Sequence, residues 1–115
     1  MKNRFSLLLL TLLVFPLVFS CGGGDDDSGS SEIGQIAFVS NRQIYLMDSN
    51  GNNRRNISNN SSEDVSPSWS PNGTLIAFAS GRDGNGQIYV MDADGSNQRN
   101  ISNSSSYDEA PAWKP

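Results

Sequence analysis

Histidine does not occur in the 115 residues. Its absence removes the side chain that most often acts as general base near neutral pH, and the commonest transition-metal ligand. No Gly-x-Ser-x-Gly nucleophile turn is present either, which argues against a free-standing hydrolase. Cysteine occurs once, at Cys21, and a lone cysteine in an exported chain needs a partner or a reactive role. Positive charge is scarce: beyond Cys21 six basic residues face twelve acidic ones, a balance of 6 − 12 = −6. That sign argues against a nucleic-acid partner. Large apolar side chains are also sparse, since from Ile33 onward only 14 of 83 residues are Leu, Ile, Val or Phe. Such a fraction is thin for an independent core, although modest charge, two Trp and a regular strand pattern argue for order.

The one long apolar run lies at the start. Lys2 and Arg4 precede a stretch from Phe5 to Phe19, broken only by Ser6, Thr11 and Pro16 and followed by Ser20-Cys21-Gly22. A charged start, a short apolar centre and small residues at the exit describe a secretory signal over residues 1–20, which is set aside from the fold. Val18-Phe19-Ser20-Cys21 resembles the lipobox of bacterial lipoproteins, with Phe19 standing where a small or aliphatic residue is usual. The resemblance implies that Cys21 becomes the lipidated first residue, making the membrane a partner through its acyl chains. Two or more such chains hold a protein stably, whereas one does so only marginally. Gly22 is not the aspartate that retains lipoproteins in the inner membrane of enteric bacteria, which implies the outer membrane in a Gram-negative host. Residues 21–32 read as the lipidated cysteine and a flexible Gly/Asp/Ser tether, in which Asp25, Asp26 and Asp27 form a self-repelling spacer rather than a metal site.

The rest of the chain, residues 33–115, says one thing twice. Ile36–Pro71 and Ile76–Pro115 align over 36 positions once Asp83–Gly86 is gapped out, and 23 of these are identical. A repeat of about 40 residues built from short strands is the signature of a β-propeller blade. We divide the region into a first repeat, 33–71, and a second, 72–115. Strands are predicted at Ile36–Ser40, Gln43–Asp48, Arg54–Ser58 and Val65–Trp69, then at Leu75–Ser80, Gln87–Asp92, Gln98–Ser102 and Ala110–Trp113. Asn50-Gly51, Asp94-Gly95 and Pro71-Asn72-Gly73 supply the turns between them.

Trp69-Ser70-Pro71-Asn72-Gly73, Ile76-Ala77-Phe78, Gly81-Arg82-Asp83-Gly84-Asn85, Ile88-Tyr89-Val90-Met91-Asp92-Ala93-Asp94-Gly95 and Pro111-Ala112-Trp113 resemble the WD40-like repeats of the TolB propeller family. The resemblance covers residues 33–115 and makes Trp69, Pro71, Gly73, Tyr89, Asp92, Gly95, Pro111 and Trp113 structural signature positions. It implies an all-β fold: a partial β-propeller of about two four-stranded blades, following a disordered signal peptide and tether. In that family the Pro-x-Trp segment is the inner strand of a blade, so the chain holds strands two to four of one blade, a complete second and the inner strand of a third. Two copies are too few for a ring. Either the terminal strand completes the first blade of a neighbouring copy, giving six blades from three chains or eight from four, or the chain is a fragment of a longer propeller.

Chemistry beyond packing has few candidates. Asp92-Ala93-Asp94-Gly95-Ser96-Asn97 looks like half a calcium loop but lacks the later Glu, and reads more simply as a turn. Arg82–Gly86 is a long turn that is able to present a local contact. Glu63, Asp64, Asp108 and Glu109 form either an acidic rim or, more simply, solvated loop charges. Trp69, Trp113, Tyr45 and Tyr89 repeat and so read as packing, whereas Tyr107 does not repeat. No cofactor or metal is expected. The functional expectation is a non-enzymatic, lipid-anchored envelope protein with a protein partner and a homo-oligomer that completes the propeller. The alternative is a carbohydrate-binding or hydrolase-associated module.

Overall fold

The computed structural model describes residues 34–115. The signal segment, Cys21 and the tether lie outside these residues. Seven strands run in chain order: β1 (Gln35–Ser40), β2 (Gln43–Asp48), β3 (Arg55–Asn56), β4 (Asp64–Trp69), β5 (Leu75–Ser80), β6 (Gln87–Asp92) and β7 (Arg99–Asn100). They form a three-stranded sheet in the order β1-β2-β3 and a four-stranded sheet in the order β4-β5-β6-β7. All neighbours are antiparallel. The fold is all-β, with one complete blade and one that lacks an inner strand among the described residues.

Local chemistry explains where the strands stop. Asn41 and Arg42 join β1 to β2 as a two-residue hairpin with Ser40 opposite Gln43, and both have positive φ, 52° and 60°. That is the backbone of the turn type that matches the twist of the flanking strands. β3 and β7 are two residues long, shorter than the predicted Arg54–Ser58 and Gln98–Ser102. The amides of Ile57 and Ser58 both donate to the Ile44 carbonyl, at 2.8 and 3.3 Å. The Ser58 hydroxyl accepts the Ile44 amide at 2.9 Å, and Asn56 Oδ1 accepts the Asn59 amide. Side chains thus replace the ladder one residue past Asn56. The second repeat does the same with Ile88, Ser102 and Asn100.

β4 carries a bulge between Val65 and Ser68, with Ser66 at φ 58°. The predicted strand at Ala110–Trp113 is not paired. These residues reproduce the bulge, with Ala110 at φ 56°, but among the described residues no strand lies beside them to close a ladder.

The core is built from the buried faces of β2, β5 and β6, and β4 lies against β1 and β2. Ile44, Leu46, Ile76, Phe78 and Met91 are fully buried, and Ile57 and Tyr89 join them, with Ala37 and Trp69 packed alongside. Burying an aliphatic or Phe side chain of this size contributes about 1.5–3 kcal/mol, so this small cluster is what ties the two sheets together.

Candidate interaction surface

The signature residues serve packing and turns. Pro71 and Gly73 form the β4–β5 turn: the Gly73 amide donates to the Ser70 carbonyl at 2.9 Å, and Gly73 has φ 74°. Gly95, at φ 93°, donates its amide to the Asp92 carbonyl at 2.8 Å. The Asp92 carboxylate accepts Asn97 Nδ2 at 2.7 Å, and that of Asp94 accepts the Ser96 amide at 2.9 Å. Hydrogen bonds from the Ser96 hydroxyl and amide lower the Asp94 pKa. Both carboxylates are therefore occupied by their own turn. Among the described residues no group of three or more acidic, Cys or His side chains converges to hold a metal.

Asp64 is neither a rim residue nor a solvated loop charge. Its side chain is fully buried and meets Arg82 Nη2 at 3.3 Å, while its other oxygen accepts Asn60 Nδ2. Arg82, which immediately precedes the four-residue insertion of the second repeat, reaches Asp64 from the β5–β6 loop. Its Nε donates to Ser80 Oγ at 2.7 Å and its Nη1 to Gln98 Oε1 at 2.8 Å. The guanidinium lies 4.4 Å from the Tyr89 ring centroid and 5.6 Å from that of Phe78. Sequence reasoning missed this cluster. The signal available was the insertion itself, Asp83–Gly86, which follows Arg82 and lengthens the loop beside a repeated aromatic pair.

Asp83, the first inserted residue, accepts the Tyr89 hydroxyl and Asn100 Nδ2. Burial, then the hydrogen bond and charge of Asp83, raise the Tyr89 pKa to about 12. Gln87 anchors the loop from below: its Oε1 accepts the Ser104 amide at 2.8 Å and its Nε2 donates to the Ser106 carbonyl at 3.0 Å.

Two cavities flank this insertion. One, of about 350 Å³, is polar and bordered by Asp83, Asn85, Tyr89, Asn100, Asn103 and Ser104. The other, of about 190 Å³, runs from Glu63 and Val65 past Gly84 and Gly86 to Tyr107. Tyr107 is 69% exposed and its ring lies against Gly86, where a Cβ would stand 2.9 Å from it. Aromatic residues of this kind are enriched among the anchors of recognition surfaces. The structure thus brings together Asp83, Asn85 and Tyr107. Trp69 and Trp113 stand apart from them, in the packing between blades.

Comparison with known proteins bears on what such a surface serves. A family model described as the TolB beta propeller domain matches residues 30–115. The protein described as Protein TolB homolog from Chlorobium luteolum is 38% identical over 63 residues, an alignment covering 51% of this chain. The match spans only 14% of that relative's own length.

Proposed function

The chain belongs to the TolB beta propeller domain family, and from that premise we propose that it is a non-enzymatic, lipid-anchored protein of the bacterial cell envelope that binds a protein partner through its blade loops. The family match over residues 30–115 carries this reading, because it makes nearly everything beyond the tether propeller. The lipobox-like Val18–Cys21 supports the anchor, with acyl chains on Cys21 holding the protein at the membrane and residues 22–32 giving reach. The outer membrane is the destination that Gly22 favours. The loop of Asp83 and Asn85, with the exposed Tyr107, is the contact surface, carried on loops that a blade scaffold positions.

Feeding cells an alkyne-tagged fatty acid tests the anchor. The full chain takes up label and partitions into detergent, and Cys21→Ala does neither; equal labelling of both chains overturns the anchor. Cross-linking in whole cells tests the contact surface. A cross-linked adduct forms with the full chain and disappears with Tyr107→Ala at unchanged circular dichroism; an adduct insensitive to Tyr107 overturns the contact surface.

A carbohydrate ligand is the second reading, favoured by one observation. Tyr107, an exposed ring, stands beside Asn85, whose carboxamide also borders the polar cavity. Pelleting with purified cell-wall glycan, lost in Tyr107→Ala, would establish it over a protein partner.

A further inference from the structure

The contact between the two repeats inside one chain is repeated, half on each side, by surfaces the chain leaves exposed. Within the chain, Gln98 Nε2 donates to the carbonyls of Ile57 and Ser58 at 3.1 and 3.2 Å. Gly95 comes so close that a Cβ on it would stand 2.6 Å from the Ile57 carbonyl oxygen. Ile57 is 5% exposed as a result. Forty-four residues on, Ile101 makes the same backbone hydrogen bond to its own sheet, at 2.8 Å to the Ile88 carbonyl. Ile101 is nevertheless 53% exposed. Its counterpart of Gly95 is Gly51, and nothing lies within 4 Å of a Cβ placed there.

The opposite face is incomplete in a complementary way. β5 pairs with β4 on one side and β6 on the other, and Ile76 and Ala79 are 0% and 4% exposed. Among the described residues, β1 pairs only with β2, and the matching Ile36 and Val39 are 41% and 42% exposed. The Trp113 indole donates to the Ser68 carbonyl of β4 at 2.8 Å. The matching indole nitrogen of Trp69 is buried and has no hydrogen-bond partner among the described residues. Leaving such a donor unpaired is costly, and a cavity of about 270 Å³ opens between it and Gln35 of β1. Meanwhile Ala110–Trp113 holds the β4 conformation with no strand beside it, since φ is 56° at Ala110 and 58° at Ser66.

We propose that residues 108–113 of one copy of this chain add to the β1 edge of a second copy, head to tail, in the register that β4 uses on β5. This goes beyond the envelope reading and stands without it. The β4–β5 pairs Asp64↔Ser80, Val65↔Ala79, Ser68↔Ala77 and Trp69↔Ile76 translate into Asp108↔Ser40, Glu109↔Val39, Ala112↔Ala37 and Trp113↔Ile36 between copies. The Ala112 carbonyl of the first copy then accepts the Trp69 indole of the second, and the Gly51 hairpin of the second covers Ile101 of the first. The interface is heterologous, so it closes into a ring when the rotation permits. Each copy supplies two blades, and rings of four to eight blades are the stable range; two, three or four copies satisfy both conditions.

The full chain, purified in mild detergent, provides the test. Ala37→Cys chains are mixed with Ala112→Cys chains and oxidised, with the unmodified chain, carrying Cys21 alone, as background. A disulfide-linked dimer should form in the mixture at least tenfold above background. The shifted pair Val39→Cys with Ala112→Cys should stay at background. Ile101→Glu, placed in both chains, should abolish the link while leaving the β-type circular dichroism intact. The proposal is overturned by failure of the first pair to link, by equal linking in the shifted register, or by a double Ala37→Cys/Ala112→Cys chain that closes on itself as a monomer. Light scattering on the unmodified chain guards against misfolded variants: two, three or four chains support the proposal, and a folded monomer overturns it.

Discussion

Each repeat sets a guanidinium over the same pair of rings, and each fetches it from a different loop. In the first, Arg54 stands 5.0 Å from the Phe38 centroid and 5.1 Å from that of Tyr45, and donates to Ser40 Oγ at 2.7 Å. In the second, Gln98 occupies the aligned position, and Arg82, from the β5–β6 loop, takes over the rings and the equivalent serine, Ser80. The repeat therefore maintains a cation on an aromatic shelf rather than a residue at a position. The consequence differs between the two. Arg54 is exposed and local, whereas Arg82 also meets the buried Asp64, tying the β4 end of the sheet to the β5–β6 loop.

Removing each cation in turn should break the comparison most sharply. Arg82→Ala leaves the Asp64 carboxylate buried without its charge partner, a change that costs about 3–5 kcal/mol. Arg54→Ala loses an exposed cation–π contact and one hydrogen bond, about 1 kcal/mol. Urea unfolding of both variants measures the gap; equal losses would mean that Asp64 does not depend on Arg82.

Alkaline titration should give the next largest effect, and it belongs to the second repeat. Because folding raises the Tyr89 pKa from 10.0 to about 12, the folded state holds its proton where the unfolded chain has released it. The stability tied to this proton is fully present below pH 10 and is lost as pH rises from about 10 to about 12. Tyr89→Phe should flatten that slope in a pH series of thermal unfolding.

The smallest effect has the opposite sign and sharpens the loop comparison. The second repeat spends six residues, Gly81–Gly86, between its strands, whereas the first turns on Asn41 and Arg42 alone. Arg42 holds φ 60°, a conformation that costs a residue with a Cβ about 1–2 kcal/mol. Its ion pair with Glu63, at 3.9 Å and with side chains 78% and 53% exposed, offsets little of that. Glycine relieves the strain but adds freedom to the unfolded chain, so Arg42→Gly should stabilise by about 0.5 kcal/mol.

The strands were legible because 23 identical positions repeat both the period-2 pattern and the Gly turns. Six-residue strands emerge within a residue of their predicted ends. Two features escaped for physical reasons. The short β3 and β7 depend on Ser and Asn side chains substituting for ladder partners, which propensity does not register. The Ala110–Trp113 segment carries the sequence pattern of a strand, but among the described residues no strand lies beside it to pair with. Of the candidate surface, the insertion and the non-repeating Tyr107 were visible, but the burial of Asp64 was not, because its partner lies 18 residues away on a loop whose path sequence does not specify.

Amide hydrogen exchange of β1 against β5 bears most directly on the equivalence of the two repeats and on the completion of the first by a second copy. In the full chain the outer-edge amides of β1 should be protected to within about tenfold of those of β5, and Ile101→Glu should release β1 while β5 stays protected. Fast exchange throughout β1 in the unmodified chain, with β5 protected, would contradict the account.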